Sequence, residues 1–253
     1  MTARLRNSTA EQGRTDCVPG FVLHSYPFRE TSLIVESFTR DHGRVALVAR
    51  GARRPRSQLR GLMQAFTPLL LSYAGKNELR TLHKAEWQGG LAIPQGLGLL
   101  CGFYINELML KLLARDDPHP PLFDPYQATL QALATPHLTP TDYAIILRRF
   151  EQRLLAELGY AQPFTHEADN GQPIVADLAY HYLCERGAML VSAQYPAHGM
   201  IFRGKTLLDL ANDNYADPVS LIQGKQLMRH IINHHLAGQT LHARELLKDL
   251  QQL

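Results

Sequence analysis

The arginines are the residues of this chain best suited to chemistry. Seven of them lie between positions 40 and 60, where Asp41 is the one acidic residue. So concentrated a positive charge attracts polyanions such as a nucleic-acid backbone. No segment resembles a recognition helix, so we expect binding without base-sequence specificity. The alternative is a solvated basic loop that has no partner. The expected contacts are Arg44, Arg50, Arg53, Arg54, Arg56 and Arg60.

A second candidate motif is a phosphate-binding loop. Residues 199–206 read Gly-Met-Ile-Phe-Arg-Gly-Lys-Thr and satisfy the pattern G-x-x-x-x-G-K-[ST]. That loop needs a buried strand before it and a helix after it, but a proline, Pro196, stands shortly before the first glycine. We therefore expect a chance match. The rival hypothesis, a nucleotide-dependent enzyme, would depend on Lys205.

Metal and nucleophile chemistry find little support. His230 and His234 lie four residues apart, but no glutamate of an H-E-x-x-H motif and no nearby third ligand accompany them. The three cysteines, Cys17, Cys101 and Cys184, are too far apart for a disulfide framework and too few for a four-cysteine zinc site. The sequence predicts a protein that is not an enzyme, with no catalytic residues, no metal and no cofactor.

Composition restricts the class of protein. A hydrophobic fraction of 45% and a charged fraction of 19% over 253 residues predict a folded chain. The sequence contains no run of eighteen apolar residues, so no membrane span is predicted. The polar start is unlike a signal peptide, and we therefore expect a cytoplasmic protein. Residues 1–92 hold 14 Lys and Arg against 7 Asp and Glu, whereas residues 93–253 hold 12 against 16. This asymmetry indicates two different modules.

The basic module must place the arginines on strands or on the loops between them. Five short apolar stretches with no long helix between them predict a five-stranded OB-like barrel over residues 19–92, after a flexible extension over 1–18. An SH3-like barrel fits nearly as well. Tyr26, Phe28, Phe66 and Tyr73 are either core residues or platforms on which bases stack. The predicted strands are 21–26, 32–38, 44–50, 66–73 and 79–86.

The second module, residues 93–253, has a helical period. Thr139 can cap a helix that begins at Pro140, and this helix is expected to run to residue 158. Further helices are predicted over 97–114, 221–235 and 241–250, with an irregular insert at 162–173. The expected fold class is α+β with two domains, an OB-like barrel followed by a mostly α-helical domain.

Several short strings resemble the bacterial recombination mediator family RecO. Residues 21–25 (Phe-Val-Leu-His-Ser), 48–53 (Val-Ala-Arg-Gly-Ala-Arg) and 66–69 (Phe-Thr-Pro-Leu) are similar to its N-terminal domain. The strings at 104–108, 147–151, 158–160 and 164–166 continue the likeness in the same order. It extends from about residue 20 to the mid-160s and more loosely to the end.

The resemblance implies a non-enzymatic, nucleoid-associated mediator of DNA repair. Such a protein binds and anneals single- and double-stranded DNA, engages the acidic, apolar tail of single-stranded DNA-binding protein (SSB), and acts with RecR to load RecA. Some members carry a four-cysteine zinc finger after the Phe-Thr-His string. This chain has Glu167 to Gly171 and a single Cys184 there, so zinc is not expected and the insert is interpreted as a finger remnant.

The resemblance also suggests roles for individual residues. The arginines of the basic run would contact DNA, in agreement with their charge. Helix 140–158 would hold the SSB tail, because an apolar face beside arginines suits a peptide that is acidic and apolar. An amphipathic core helix whose arginines reach solvent is equally consistent, and a scaffold that binds an acidic protein is a second rival function. The expected tail contacts are Leu147, Arg148, Arg149, Phe150 and Arg153.

Overall fold

The computed structural model describes residues 13–161, 163–192 and 200–245. The chain forms two compact units. The first comprises Met1–Gln95 and Asn106–Ala134, and is called the barrel unit below; the second comprises Gly96–Ile105 and Thr135–Leu253, and is called the helical unit. The division falls within helix α1 (Leu97–Leu112) and differs from the predicted limits, 19–92 and 93–253, by grouping 106–134 with the barrel.

Five strands close into a barrel in the first unit. They are β1 (Arg14–Phe28), β2 (Ser32–Thr39), β3 (Gly43–Ala49), β4 (Pro68–Ala74) and β5 (Leu79–Trp87). Their order around the barrel is β1-β2-β3-β5-β4, and every neighbouring pair is antiparallel except β3 and β5. The prediction of a five-stranded OB-like barrel is confirmed.

Strand β1 begins earlier than the sequence pattern indicates. Arg14 pairs with Ala74 and Thr15 with Tyr73, so the strand extends into the stretch 1–18 that was expected to be flexible. The pairing with β4 explains the difference, because backbone hydrogen bonds order these polar residues without an apolar pattern. Residues 1–12 of that stretch lie outside the described residues.

The barrel interior is filled by inward-facing aliphatic side chains and closed by a tight turn. Tyr73 and Phe66 are 1% exposed, so both are core residues rather than stacking platforms. Gly43 begins β3 with φ of 62°, and a Cβ there would lie 1.8 Å from the carbonyl oxygen of Asp117. Only glycine fits this turn without displacing the backbone. The interior includes Val22, Val35, Val45, Leu47, Leu69, Leu71 and Leu82.

Helix α2 (Pro120–Leu133) covers part of the outer barrel surface. Phe123 and Tyr126 lie 5.2–5.9 Å, between ring centroids, from Phe21 of β1 and Phe38 of β2. Asn106 of α1 donates to the carbonyl of Leu23 at 2.9 Å and accepts from the Tyr126 hydroxyl at 2.7 Å. The helix contains Pro125 and starts with two prolines, which conceal its period in the sequence.

The helical unit contains α3 (Pro140–Glu157), α4 (Gly204–Ala211) and α5 (Pro218–His235). Thr139 and Asp142 form a reciprocal capping box at the start of α3, which confirms the predicted helix start. The predicted helix 241–250 is described only to residue 245, and residues 242–245 are helical.

A three-stranded sheet was missed by the sequence reading of the helical unit. Its strands are β6 (Ala179–Leu183), β7 (Gly187–Leu190) and β8 (Ile201–Arg203), in the order β7-β6-β8. With three to five residues each, the strands are too short to display an alternating pattern. The predicted fold class, a barrel followed by a mostly helical domain, nevertheless holds.

Candidate nucleic-acid interface and peptide pocket

The loop after β3 carries most of the arginines and is built from consecutive turns. Backbone hydrogen bonds, 3.0–3.2 Å from N to O, link Arg54 to Gly51, Ser57 to Arg54 and Arg60 to Ser57. Ala52 and Met63 are buried in the barrel core at either end of this stretch. The loop is therefore held against the barrel at both ends, and Leu59 and Leu62 also pack against the core, while the arginines between them are exposed.

Five of the six predicted DNA contacts lie together on this loop, and all five are exposed. Among the residues that the structure describes, none of the five has a carboxylate partner; the Arg53 guanidinium donates a hydrogen bond of 3.5 Å to the carbonyl of Arg29. Their charge is therefore not neutralised within the chain and is available to an anion. The five, called the arginine loop below, are Arg50, Arg53, Arg54, Arg56 and Arg60.

Arg44 occupies a different environment. Its guanidinium donates to the carbonyls of Leu110 and, at 2.9 Å, of Leu113, and its Nε lies 3.3 Å from Glu36, which is 3% exposed. Burial lowers the pKa of Arg44, although Glu36 acts in the opposite direction. Arg115 pairs with the same Glu36. The structure does not bring Arg44 to the arginine loop: its three partners hold it within the barrel unit.

A groove of about 730 Å³ borders the arginine loop. Arg50 and Arg54 line it together with Phe28 and Arg29, whose guanidinium lies 5.2 Å from the Phe28 ring centroid. The sequence reading missed Arg29, since it lies eleven positions before the basic run. The link is tertiary: the backbone N–H of Arg53 donates to the carbonyl of Thr31 at 2.8 Å, so the β1–β2 turn lies against the loop.

A second concave site lies in the helical unit. This pocket, of about 230 Å³, combines an apolar wall with four cationic side chains. Leu147 and Arg148 are the predicted tail contacts that line it; Lys225, Arg229 and Arg244 were missed. Lys225 and Arg229 are four apart on α5, a spacing that places both on one helix face. The other lining residues are Leu97, Cys101, Tyr104, Pro140, Tyr143 and Ala144.

The remaining predicted tail contacts lie elsewhere. Phe150 is 2% exposed and belongs to the core of the helical unit. Arg149 pairs with Asp213 at 2.9 Å, and this bond raises its pKa. Arg149 and Arg153 border a separate groove of about 730 Å³ that Leu155 and Met228 also line. The structure thus divides the five predicted residues among a pocket, the core and another groove.

Arg148 forms the charged floor of the pocket. It is 6% exposed and lies 2.5 Å from Glu151, which is fully buried. Glu151 also accepts from the Tyr104 hydroxyl at 2.7 Å, and Arg244 donates to that hydroxyl at 3.2 Å. Burial raises the pKa of Glu151, and Arg148 opposes this shift. The Nε of Arg148 is buried and has no hydrogen-bond partner among the described atoms, and Arg148 is one of the residues that line the pocket beside its apolar wall.

The residues of the phosphate-loop motif are engaged by protein groups. The Lys205 ammonium lies 2.6 Å from Asp209, which raises its pKa, and the buried Thr206 hydroxyl donates to Gln223 at 2.7 Å. Gly199, the first residue of the motif, lies outside the described residues. The described part therefore presents neither side chain free for a nucleotide.

No group of three potential metal ligands occurs in the described residues. His234 lies 3.6 Å from Glu185, and Cys101 is buried, which raises the pKa of its thiol to about 11. In the insert, the Glu167 side chain accepts from Asn170 at 2.9 Å and from the Tyr180 hydroxyl at 3.4 Å. None of the helices described is both long and apolar enough to cross a membrane.

Two family models match the chain. "Recombination protein O N terminal" covers residues 17–90 and "Recombination protein O C terminal" covers residues 94–245. Among curated proteins, the chain is 52% identical over 243 residues to DNA repair protein RecO of Nitrosospira multiformis, covering 96% of this chain and 99% of that one. It is 51% identical over 249 residues to DNA repair protein RecO of Thiobacillus denitrificans, with 96% of both chains covered.

Proposed function

Because the chain belongs to the RecO family of DNA repair proteins, we propose that it is a non-enzymatic mediator that binds and anneals DNA strands. The proposal adds three partners: the SSB tail, RecR and, indirectly, RecA, which the protein would help to load onto single-stranded DNA. It places the protein in the cytoplasm, at the nucleoid.

One observation carries the DNA-binding part of the proposal. The five arginines of the loop are exposed and have no acidic partner within the described residues, so their mutual repulsion is relieved when an anion binds. Phosphate contacts of this kind release counterions and are independent of base sequence. That property suits a protein that must act wherever a strand is damaged.

A separate observation favours the SSB tail as a partner of the helical unit. The tail is acidic and apolar, and the pocket at Arg148 offers an apolar wall, a buried guanidinium with an unused Nε, and exposed Lys225 and Arg229 at its rim. A charge-assisted bond to a buried guanidinium is stronger than a neutral one. We therefore assign the tail carboxylates to Arg148 and its neighbours Lys225, Arg229 and Arg244.

Anisotropy of a labelled single-stranded oligonucleotide across a salt series tests the DNA-binding part. We expect log K to fall with log salt by about 0.7 for each phosphate neutralised. The Arg53→Ala/Arg56→Ala variant should bind more weakly and with a shallower slope. Lys76→Ala/Lys84→Ala removes the same charge from exposed positions on the barrel unit outside the loop. Its salt slope should stay closer to the wild-type value than that of the arginine double variant.

If the wild-type protein binds no DNA near 0.15 M salt, the arginine loop does not serve as a phosphate grip and the scaffold hypothesis replaces the mediator one. If the salt slope of both double variants decreases by the same amount, binding depends on net charge alone and not on the position of the arginine loop. A nucleotide-dependent enzyme would instead lose nucleotide binding on Lys205→Ala.

A peptide that ends in acidic and apolar residues tests the second site. Its affinity should fall at least tenfold on Arg148→Ala and less on Arg229→Ala, because the buried guanidinium is fully desolvated while the rim cation is screened. Arg153→Ala, outside the pocket, is the control. Unchanged peptide binding by Arg148→Ala would remove the tail from this pocket.

A further inference from the structure

The outer face of β1 carries rings from Phe21 to Phe28, but the two ends of this stretch differ in what covers them. A register shift between Val22 and His24 places Phe21, His24, Tyr26 and Phe28 on the outward side. Phe21 is 1% exposed because the rings of α2 pack on it. Tyr26 is 44% exposed and His24 is exposed too, while Phe28 is half-buried. The far end therefore presents open aromatic surface.

An apolar floor extends from these rings across the neighbouring strands. Tyr26 pairs with Ile34 of β2, Ile34 with Val48 of β3, and Val48 with Thr81 of β5. Residues paired in this way share one face of the sheet. Leu79, on the same outward side of β5, is 40% exposed. Ile34, Val48 and Thr81 are half-buried, so the surface between the exposed Tyr26 and Leu79 is partly accessible. A mainly apolar surface that stays accessible across four strands is characteristic of a binding surface.

Cations border this floor. Arg29, Arg50 and Arg54 line the 730 Å³ groove that Phe28, Val48 and Leu79 also line, and one acid, Glu30, lies among them. Open rings beside a cationic groove match the chemistry of single-stranded nucleic acid, whose bases present apolar faces and whose backbone is anionic. A protein surface rich in acids would pair with the cations but would offer the rings no base on which to stack.

The spacing of the rings discriminates between one strand and two. Side chains two residues apart on a strand are about 6.8 Å apart, roughly twice the 3.4 Å rise per nucleotide of one strand in B-DNA. Bases can therefore meet successive rings only when the strand is extended and unstacked. A duplex hides its base faces in the stack and could reach the cations alone.

We propose that Tyr26 and Phe28 form a stacking platform that gives the groove of the barrel unit a preference for extended single strands. The proposal rests on the proposed function and deepens it, because it assigns the arginines to affinity for any phosphate backbone and the rings to strand selection. His24 supports the platform: its ring centroid lies 4.4 Å from that of Tyr26, edge to face, and limits the ring's rotation.

The test compares Tyr26→Ala with wild type on a single-stranded oligonucleotide and on a duplex of equal length, each over a salt series. We expect single-strand affinity to fall about tenfold, since a base–aromatic stack contributes about 1–3 kcal/mol. Duplex affinity and both salt slopes should be unchanged, because no phosphate contact is lost. Tyr26→Trp should retain single-strand binding, and Trp87→Ala, which removes a 64% exposed ring elsewhere on β5, serves as the matched control.

Each outcome is informative. Equal losses on single strand and duplex, or no loss on either, would overturn the platform while wild-type binding leaves the proposed function standing. Failure of the wild-type protein to bind either form would instead overturn the proposed function. Because Tyr26 is a surface residue, circular dichroism and thermal unfolding of Tyr26→Ala should match wild type; if they do not, Tyr26→Leu, which keeps the apolar contact without a ring face, replaces it.

Discussion

Arg148 of the helical unit and the five arginines of the arginine loop in the barrel unit are all cations, but their surroundings are opposite. Arg148 is 6% exposed, lies 2.5 Å from a fully buried carboxylate, and has one geometry that Tyr104 and Glu151 define. The five loop arginines are exposed and, within the described residues, without acidic partners. The first site is preorganised, whereas the second is a group of exposed cations that no acidic partner holds in place.

This difference determines what each site can recognise. Exposed cations act at a distance through counterion release, so their effects add and decline with salt. A buried guanidinium acts at hydrogen-bond distance in a medium of low dielectric, so it recognises one carboxylate in one place and is little screened. The comparison therefore separates stability from binding: loss of a buried partner should lower the free energy of unfolding, and loss of an exposed arginine should change binding alone.

The largest effect on stability is expected for Glu151→Ala. Removal of this carboxylate leaves Arg148 buried without its counter-charge, at a cost of about 3–5 kcal/mol in the free energy of unfolding. Urea denaturation measures the change. Arg153→Ala, on the exposed side of the same helix, should stay within about 0.5 kcal/mol. Similar small losses for both variants would show that Arg148 is not buried in solution.

Arg44→Met gives the next largest effect and tests the comparison inside the barrel unit. It removes bonds to the carbonyls of Leu110 and Leu113, and leaves Arg115 as the partner of Glu36. We expect the free energy of unfolding to fall by about 1–3 kcal/mol, because buried polar groups are left unsatisfied. The salt slope of DNA binding should stay at the wild-type value. A slope reduced by about 0.7 would make Arg44 a phosphate contact after all.

Thr139→Ala should lower the free energy of unfolding by about 1 kcal/mol, which is typical for the loss of a helix N-cap. Bonds from the Thr139 hydroxyl and backbone lower the pKa of Asp142. A carboxyl whose folded-state pKa is lowered stabilises the fold above its ordinary range and loses that effect as pH falls through the lowered value. The stability difference between Thr139→Ala and wild type should therefore narrow in acid, as thermal unfolding at several pH values would reveal. A difference independent of pH would contradict the reciprocal capping box.

The smallest effect on stability is expected for Arg56→Ala. The side chain is exposed, so the free energy of unfolding should change by less than about 0.5 kcal/mol. The salt slope of single-strand binding should nevertheless decrease by about 0.7. Paired measurements on this variant and Arg44→Met give opposite patterns if the comparison holds: binding without stability in one, stability without binding in the other.

Local features were predictable from the sequence. The five barrel strands alternate or run apolar between turn residues, and the start of α3 combines a cap, a proline and an acid within four positions. The missed elements lack such signals: α2 is rich in proline, and β6 to β8 are too short to have a period. The resemblance to RecO, carried by short strings in register, was confirmed by the two family models.

The site was only partly predictable, and Arg44 shows why. Arg44 lies at the start of β3 and Arg50 directly follows its end, but Arg44 contacts Leu110 and Leu113 from a distant part of the chain, whereas Arg50 is exposed. The resemblance to the RecO family does not indicate which residues pack against Arg44. In the helical unit, Lys225, Arg229 and Arg244 join Arg148 from positions about 80 to 95 residues away.

The sequence by itself determined the strand pattern, the helix start at Thr139, the concentration of charge after β3 and the family, because each depends on residues close together in the chain. Tertiary structure alone decided which arginines are buried, which rings of β1 stay open and which cations surround the pocket. Burial depends on what packs against a residue, and those contacts are made by segments whose separation in sequence carries no periodic signal.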